Sequence, residues 1–123
     1  YDVEVRQVGL CVSDDGRCAA SPDGLIADDE GLEIKTPGIT QHIANALNMD
    51  DHYGQCQMGM MVTGRKAWWL VSWNPKLPPA CVRIARDPDY QADLENALAG
   101  FLGRLEAAKQ KLVELGWTSK EKE

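Results

Sequence analysis

The segment Gly31-Leu32-Glu33-Ile34-Lys35 constrains the fold most, because it alternates charged with apolar side chains as a β-strand with two different faces does. Glu33 and Lys35 are two residues apart, so they share one face of that strand. Leu32 and Ile34 take the other face and are expected to enter the core. The segment therefore predicts a strand that presents a carboxylate and an ammonium group side by side.

A second acid is expected at the same place. Asp23, in the segment Ser21–Leu25, stands at the end of the preceding predicted strand, and a turn containing Gly31 would bring that strand beside the Glu33 strand. Two carboxylates at close range favour a hard cation that keeps some water ligands, such as Mg²⁺ or Mn²⁺. A lysine beside that cation can orient a water or neutralise charge on a phosphate. Asp-Gly turns and solvated Glu-Lys pairs are also common, so these residues alone leave a structural role open.

The rest of the chain predicts a mixed α/β fold. Asp15-Gly16 is a hairpin signal between a strand from Arg6 to Val12 and a return strand from about Arg17 to Ser21. With the Glu33 strand they would form a three-stranded antiparallel meander. Further strands are predicted at Trp68–Trp73 and at Cys81–Arg86, after two helices in residues 40–61.

The last helix has a defined start and end. Asp87 is a natural N-cap, Pro88 suits the first helical position, and Gly116 follows the final apolar residue. Residues 118–123 are expected to fray. One domain over residues 1–123 is predicted, and because the chain does not begin with methionine we expect it to be part of a longer protein.

Composition narrows the class of protein. The net charge is −6, with residues 34–86 carrying +4 beside an N-terminal third of −7. A basic middle beside an acidic cluster suits a protein that holds a cation near a polyanion, although a mixed surface gives the same totals. The four cysteines are too scattered for a zinc site and are expected to be free thiols in the cytoplasm. No apolar run is long enough for a membrane span.

Several motifs together resemble one family. The similarity is to the phage lambda-type exonucleases, the YqaJ-like viral recombinases within the PD-(D/E)xK nuclease superfamily. It extends from about Val8 to the final helix and is carried by Ser21–Leu25, Gly31–Pro37, Tyr53–Gln57, Met60–Thr63, Ala67-Trp68, Asn74-Pro75 and Arg86-Asp87. The resemblance implies a restriction-endonuclease-like core with a mixed central sheet flanked by helices and a long C-terminal helix.

The resemblance also implies roles for individual residues. Asp23 and Glu33 match the acids that bind Mg²⁺ or Mn²⁺, with the backbone carbonyl of Ile34 as a further ligand, and Lys35 matches the catalytic lysine. The helix glutamines that face the site correspond to Gln55 and Gln57, of which Gln57 is favoured as catalytic. Ser21 is expected near the substrate backbone. The implied function is metal-dependent 5′-to-3′ hydrolysis of linear double-stranded DNA in phage-type recombination, within a bacterial host cell.

The implied partners are DNA ends, a single-strand annealing protein and two further copies in a homotrimer. Another acidic metal ligand and the residues that grip the 5′-phosphate lie, in this family, on helices upstream of the first strand, which this sequence does not include. Two alternatives therefore stay open. One is a structure-specific endonuclease of the same superfamily, and the other is a non-catalytic DNA-binding or interaction module with an incomplete metal site.

Overall fold

A computed structural model describes residues 2–117 and contains a five-stranded mixed sheet. The strands are β1 (Val5–Arg6), β2 (Cys11–Val12), β3 (Ala19–Ala20), β4 (Gly24–Ile26), β5 (Glu30–Lys35), β6 (Ala67–Asn74) and β7 (Leu77–Ala85). The large sheet has the order β1-β4-β5-β6-β7, and β2 pairs with β3 in a separate hairpin. All pairs are antiparallel except β5 with β6. The predicted mixed sheet is confirmed.

The parallel pair explains where the helices lie in the chain. Parallel neighbours need a long connection, and residues 36–66 supply it with α1 (Ile39–Leu47), a 3₁₀ turn (Asp50–His52) and α2 (Tyr53–Thr63). Helix α2 ends at Gly64, whose φ of +71° is the left-handed conformation that glycine adopts without strain. Its N–H bonds the carbonyl of Met60. The connection therefore returns the chain from β5 to the adjacent β6.

The first third of the chain differs from the predicted meander. The Asp15-Gly16 hairpin is confirmed, with Gly16 at φ +72° and Ser13 N–H bonded to the Cys18 carbonyl. The strand predicted from Arg6 to Val12 is instead two short strands, β1 and β2, on either side of Gly9, a residue with no side chain to pack. The strand β4 lies between the predicted return strand and β5, where the sequence predicts no strand. Gly31 lies in β5, not in the turn before it.

The core lies on the face of the sheet that α2 covers. Cys56, Met60, Trp68 and Leu70 form its centre, and Trp68 is only 2% exposed. The Trp68 indole rests against Gly31 on β5 and Gly59 on α2. A Cβ at Gly59 would lie 2.8 Å from its Cζ2, and one at Gly31 would overlap the ring. Both positions therefore need glycine to let helix and strand approach the indole.

The charged face and the core face of β5 are the same face. In the parallel register Gly31 is opposite Trp68, Glu33 opposite Leu70 and Lys35 opposite Ser72, so these side chains point to one side. Leu32 is only half-buried and Ile34 is 43% exposed, so the expectation that they enter the core is wrong. Glu33 and Lys35 therefore lie at the margin of the apolar core instead of on a solvated face.

The described chain forms two compact units, one up to Gln91 and one from Ala92 onward. The long helix α3 (Pro88–Glu114) starts as predicted, with Asp87 Oδ1 accepting from the Tyr90 N–H at 3.0 Å. It ends as predicted before Gly116, at φ +82°. The expected fraying of 118–123 falls outside the described residues, and a single domain over 1–123 stays a prediction. Within residues 2–117, no helix has the length and apolar character to cross a bilayer.

Candidate active site

Asp23 is joined to β5 through both its backbone and its side chain. Its N–H donates to the Leu32 carbonyl at 3.0 Å, and its Oδ2 accepts from the Ile34 N–H at 2.7 Å. The pairing of β4 with β5 ends at Gly24 and Leu32. Beyond that pair, the Asp23 carboxylate accepts the hydrogen bond from Ile34 that a backbone carbonyl of a longer β4 would accept. The structure therefore brings Asp23 beside Glu33 and Ile34, as the motif predicts. Ser21 is exposed in the loop before it.

Glu33 is the acid whose ionisation is most affected by the site. Its side chain is 12% exposed, and burial raises its pKa above the usual value. The negative charge of Asp23 raises this pKa further, while the charge of Lys35 and hydrogen bonds from Lys35 and Gln55 oppose the rise. The exposed Asp23 carboxylate thus repels the partly desolvated Glu33 carboxylate, which is the electrostatic condition that a bound cation relieves.

Lys35 lies between Glu33 and helix α2. Its Nζ is 3.4 Å from Glu33 Oε1 and donates to Gln55 Oε1 at 2.8 Å, and its side chain is 28% exposed. The predicted pairing of carboxylate and ammonium on one strand face is confirmed. Cys56, the residue after Gln55, is fully buried, and its thiol pKa is raised to about 11 by burial and then by the charge of Glu33. This thiol is therefore neutral and not nucleophilic near pH 7.

The two glutamines have different surroundings, and it is Gln55 rather than the favoured Gln57 that contacts Lys35. Gln55 contacts Lys35, whereas the side chain of Gln57 is fully buried elsewhere. Gln57 Nε2 donates to the Ala85 carbonyl at 2.9 Å, and its Oε1 accepts from the N–H of Asp87 and from Gln91 Nε2. The amide of Gln57 therefore links α2 to the end of β7 and the start of α3, and it is not brought to the carboxylates.

The donor set fits a hydrated hard cation. Within residues 2–117 no three His, Cys, Asp or Glu side chains are grouped to hold a metal. Mg²⁺, however, is commonly bound by one or two protein carboxylates and keeps several waters that a substrate phosphate can replace. Asp23 and Glu33, with the backbone oxygen of Ile34, the residue after Glu33, meet that requirement. An all-protein cage, as structural zinc needs, is not present in this part of the chain.

A buried polar network next to Lys35 was not anticipated. His42 on α1 is bonded through Nδ1 to Ser72 Oγ at 2.8 Å and through Nε2 to the Pro78 carbonyl at 2.8 Å. Asn45 Nδ2 also donates to Ser72 Oγ, at 3.1 Å. Ser72 is the β6 neighbour of Lys35, and it is fully buried. The available signal was a serine within the apolar strand Ala67–Asn74, but its partners lie about 30 residues away.

Comparison with known proteins gives a consistent result. Residues 1–66 match the family model of the YqaJ-like viral recombinase domain. The structure is similar to the crystal structure of an alkaline exonuclease, LHK-Exo, from Laribacter hongkongensis, and to that of LHK-Exo in complex with dAMP. Each comparison gives 35% identity and a TM-score of 0.79, and covers 92% of this chain. The chain spans 64% of the length of that exonuclease. A comparison with curated protein sequences gave no match.

Proposed function

Because the chain belongs to the YqaJ-like viral recombinase family, we propose that it is a metal-dependent deoxyribonuclease that hydrolyses phosphodiesters from the ends of linear double-stranded DNA. The observation that carries the proposal is the meeting of two carboxylates and a lysine at the end of the central strand β5. The complex of the similar exonuclease with dAMP supports a deoxynucleotide as ligand.

Each residue of the site has a part in this proposal. Asp23 and Glu33, with the carbonyl of Ile34, hold Mg²⁺ or Mn²⁺. The bound ion supplies Lewis-acid stabilisation of the charge on the scissile phosphate. Lys35 adds a protein-borne positive charge at the same place and donates hydrogen bonds to the attacking water or to a phosphate oxygen.

Gln55 is the glutamine that acts at the site. Its Oε1 accepts a hydrogen bond from one N–H of the Lys35 ammonium. This bond holds the ammonium in place and so sets the directions of its remaining N–H groups. Gln57 contributes only through the junction of α2, β7 and α3 that it stabilises. Ser21, exposed two residues before Asp23, contacts the DNA backbone.

The finer features of the proposal come from the family. Digestion runs 5′ to 3′ along one strand, the active assembly is a homotrimer, and a single-strand annealing protein receives the product strand in phage-type recombination. The reaction takes place in the cytoplasm of a bacterial host. A structure-specific endonuclease and a non-catalytic DNA-binding module are the alternatives that the experiment must separate.

The test compares 5′-phosphorylated linear duplex with a covalently closed circle, in Mg²⁺ and in EDTA. The variant Asp23→Asn removes a proposed ligand charge, and Asp28→Asn, at an exposed acid in the turn before β5, is its matched control. We expect the native protein and the control to degrade only the linear DNA, only with Mg²⁺, and Asp23→Asn to be inactive. Cutting of the circle would favour an endonuclease. Full activity of Asp23→Asn would contradict the proposed site.

A further inference from the structure

A cavity of about 460 Å³ opens beside Lys35 and the two residues that follow it in the chain. Its walls come from the loop after β5, from α1 and from the 3₁₀ turn, and they include Pro37, Gln41, Asn45 and His52. The volume is within the range of small-molecule sites. Lys35 therefore belongs both to the carboxylate site and to the lining of this cavity.

The α1 wall of the cavity is held by a chain of hydrogen bonds in which each side chain donates to the next group. Gln41 Nε2 donates to Asn45 Oδ1 at 2.9 Å, and Asn45 Nδ2 donates to Ser72 Oγ. If His42 Nε2 donates to the Pro78 carbonyl, which has no proton to give, then Nδ1 accepts from the Ser72 hydroxyl. Asn45 is 4% exposed, so its amide is fixed inside the protein. The wall is thus built before any ligand arrives.

Several of the described residues that line the cavity, including Gln41 of the α1 wall, have polar atoms without a hydrogen-bond partner. Within the described residues, the side chains of His52 and Asp51 make no hydrogen bond or ion pair, and Gln41 uses only its Nε2, leaving Oε1 available. These groups can donate to or accept from a neutral polar ligand. Asp51 is negative and would repel a second phosphate, whereas the Pro37 ring offers an apolar contact to a sugar or base.

From these observations we propose that the cavity binds the deoxynucleoside attached to the phosphate at Lys35, with His52 and Gln41 as its hydrogen-bonding contacts. The inference rests on the proposed function and specifies how the same site holds its substrate or product. Lys35 contacts the phosphate, and the adjoining sugar and base occupy the mixed polar and apolar space next to it. His52 and Gln41 are thereby assigned to substrate binding, and neither carries out the hydrolysis.

The two histidines of the chain make a direct test possible, with dAMP as the probe. His42 is 2% exposed and bonded on both ring nitrogens, so it serves as an internal control for His52. In NMR spectra of the histidine side chains, assigned with His52→Gln, we expect dAMP to shift the His52 signal and to leave that of His42 in place. Binding of dAMP, detected on its own resonances, without any shift at His52 would overturn the proposal. Absence of dAMP binding at millimolar concentration would also overturn it.

Variants give a second and independent measurement. Loss of one hydrogen bond predicts that His52→Ala and Gln41→Ala each weaken dAMP binding about fivefold, with binding of inorganic phosphate unchanged. The control is Ile43→Ala, on an exposed part of α1 that does not line the cavity. Equal affinity of all four proteins for dAMP would contradict the proposal. Mn²⁺ binding and DNA cleavage are measured separately, so a protein that binds dAMP through His52 but cleaves nothing refutes only the nuclease function.

Discussion

Gln55 and Gln57 are two residues apart on α2. We expect the replacement of Gln55 by alanine to lower activity but not stability, and that of Gln57 to lower stability but not activity. Gln55 is exposed and contacts Lys35, so Gln55→Ala should leave the free energy of unfolding within about 0.5 kcal/mol of the native value. It should lower the rate of DNA cleavage about 10- to 100-fold, because the ammonium of Lys35 loses the group that orients it.

The loss of stability expected for Gln57→Ala follows from the hydrogen bonds that the Gln57 side chain makes. The Ala85 carbonyl and the Asp87 N–H lose their hydrogen bonds, whereas Gln91 Nε2 keeps its 2.8 Å bond to the Gln57 backbone carbonyl. Both hydrogen bonds are only partly buried, so the loss of each should cost about 0.5–1.5 kcal/mol and the two together about 1–3 kcal/mol. Cleavage per folded molecule should fall little.

Urea denaturation followed by tryptophan fluorescence measures the first quantity, because Trp68 is in the core beside α2. A loss of this size moves the unfolding midpoint by roughly 1–2 M urea. Initial rates on linear duplex, corrected for the folded fraction, measure the second. A Gln57→Ala protein that is as stable as the native one but loses turnover as Gln55→Ala does would refute the assignment of the two side chains.

Three other variants test other parts of the structure. Lys35→Ala should lower turnover about 100-fold or more while Mn²⁺ binding by calorimetry stays the same or strengthens, since the variant removes a positive charge from the site; loss of Mn²⁺ binding would contradict its role. Gly31→Ala should cost about 1–3 kcal/mol in urea unfolding by overlap with Trp68, and adding Trp68→Phe should recover part of it; strictly additive losses would be inconsistent with that contact. Tyr53→Phe removes the 2.6 Å bond that lowers the pKa of Asp87 and raises that of Tyr53. The native protein should therefore be more stable than this variant between pH 3.8 and pH 10.0, the ordinary pKa values of an aspartate and a tyrosine. The difference in stability should shrink as the pH falls through the lowered pKa of Asp87 or rises through the raised pKa of Tyr53. A difference that is independent of pH would argue against the bond.

The local part of the site could be predicted because strand geometry decides it. Residues two apart on a strand share a face whatever the rest of the fold does, so the Glu33–Lys35 pair follows from the sequence. The approach of Asp23 is also a short-range event across one turn. The choice of core face was not predictable from Leu32 and Ile34, because it depends on whether a large ring finds room beside Gly31.

The long-range part of the site could not be predicted for a geometric reason. Successive helix residues turn by about 100°, so two residues separated by one position face nearly opposite ways, and only one can point to Lys35. Which one does depends on how α2 is rotated against the sheet, and no local pattern records that rotation. The bonds among His42, Asn45 and Ser72 likewise join positions about 30 residues apart.

The bond between the Ile34 N–H and the Asp23 carboxylate makes one backbone amide a reporter of the site. Hydrogen exchange at most strand amides depends on the opening of a ladder of carbonyl partners, whereas this amide exchanges when a single side chain moves away. A ligand that holds the carboxylate in position slows this exchange, and substitution of Asp23 accelerates it. In a native-state exchange experiment, the protection of the Ile34 amide proton therefore reports whether a ligand is bound at the Asp23 carboxylate, which has no exchangeable amide signal of its own.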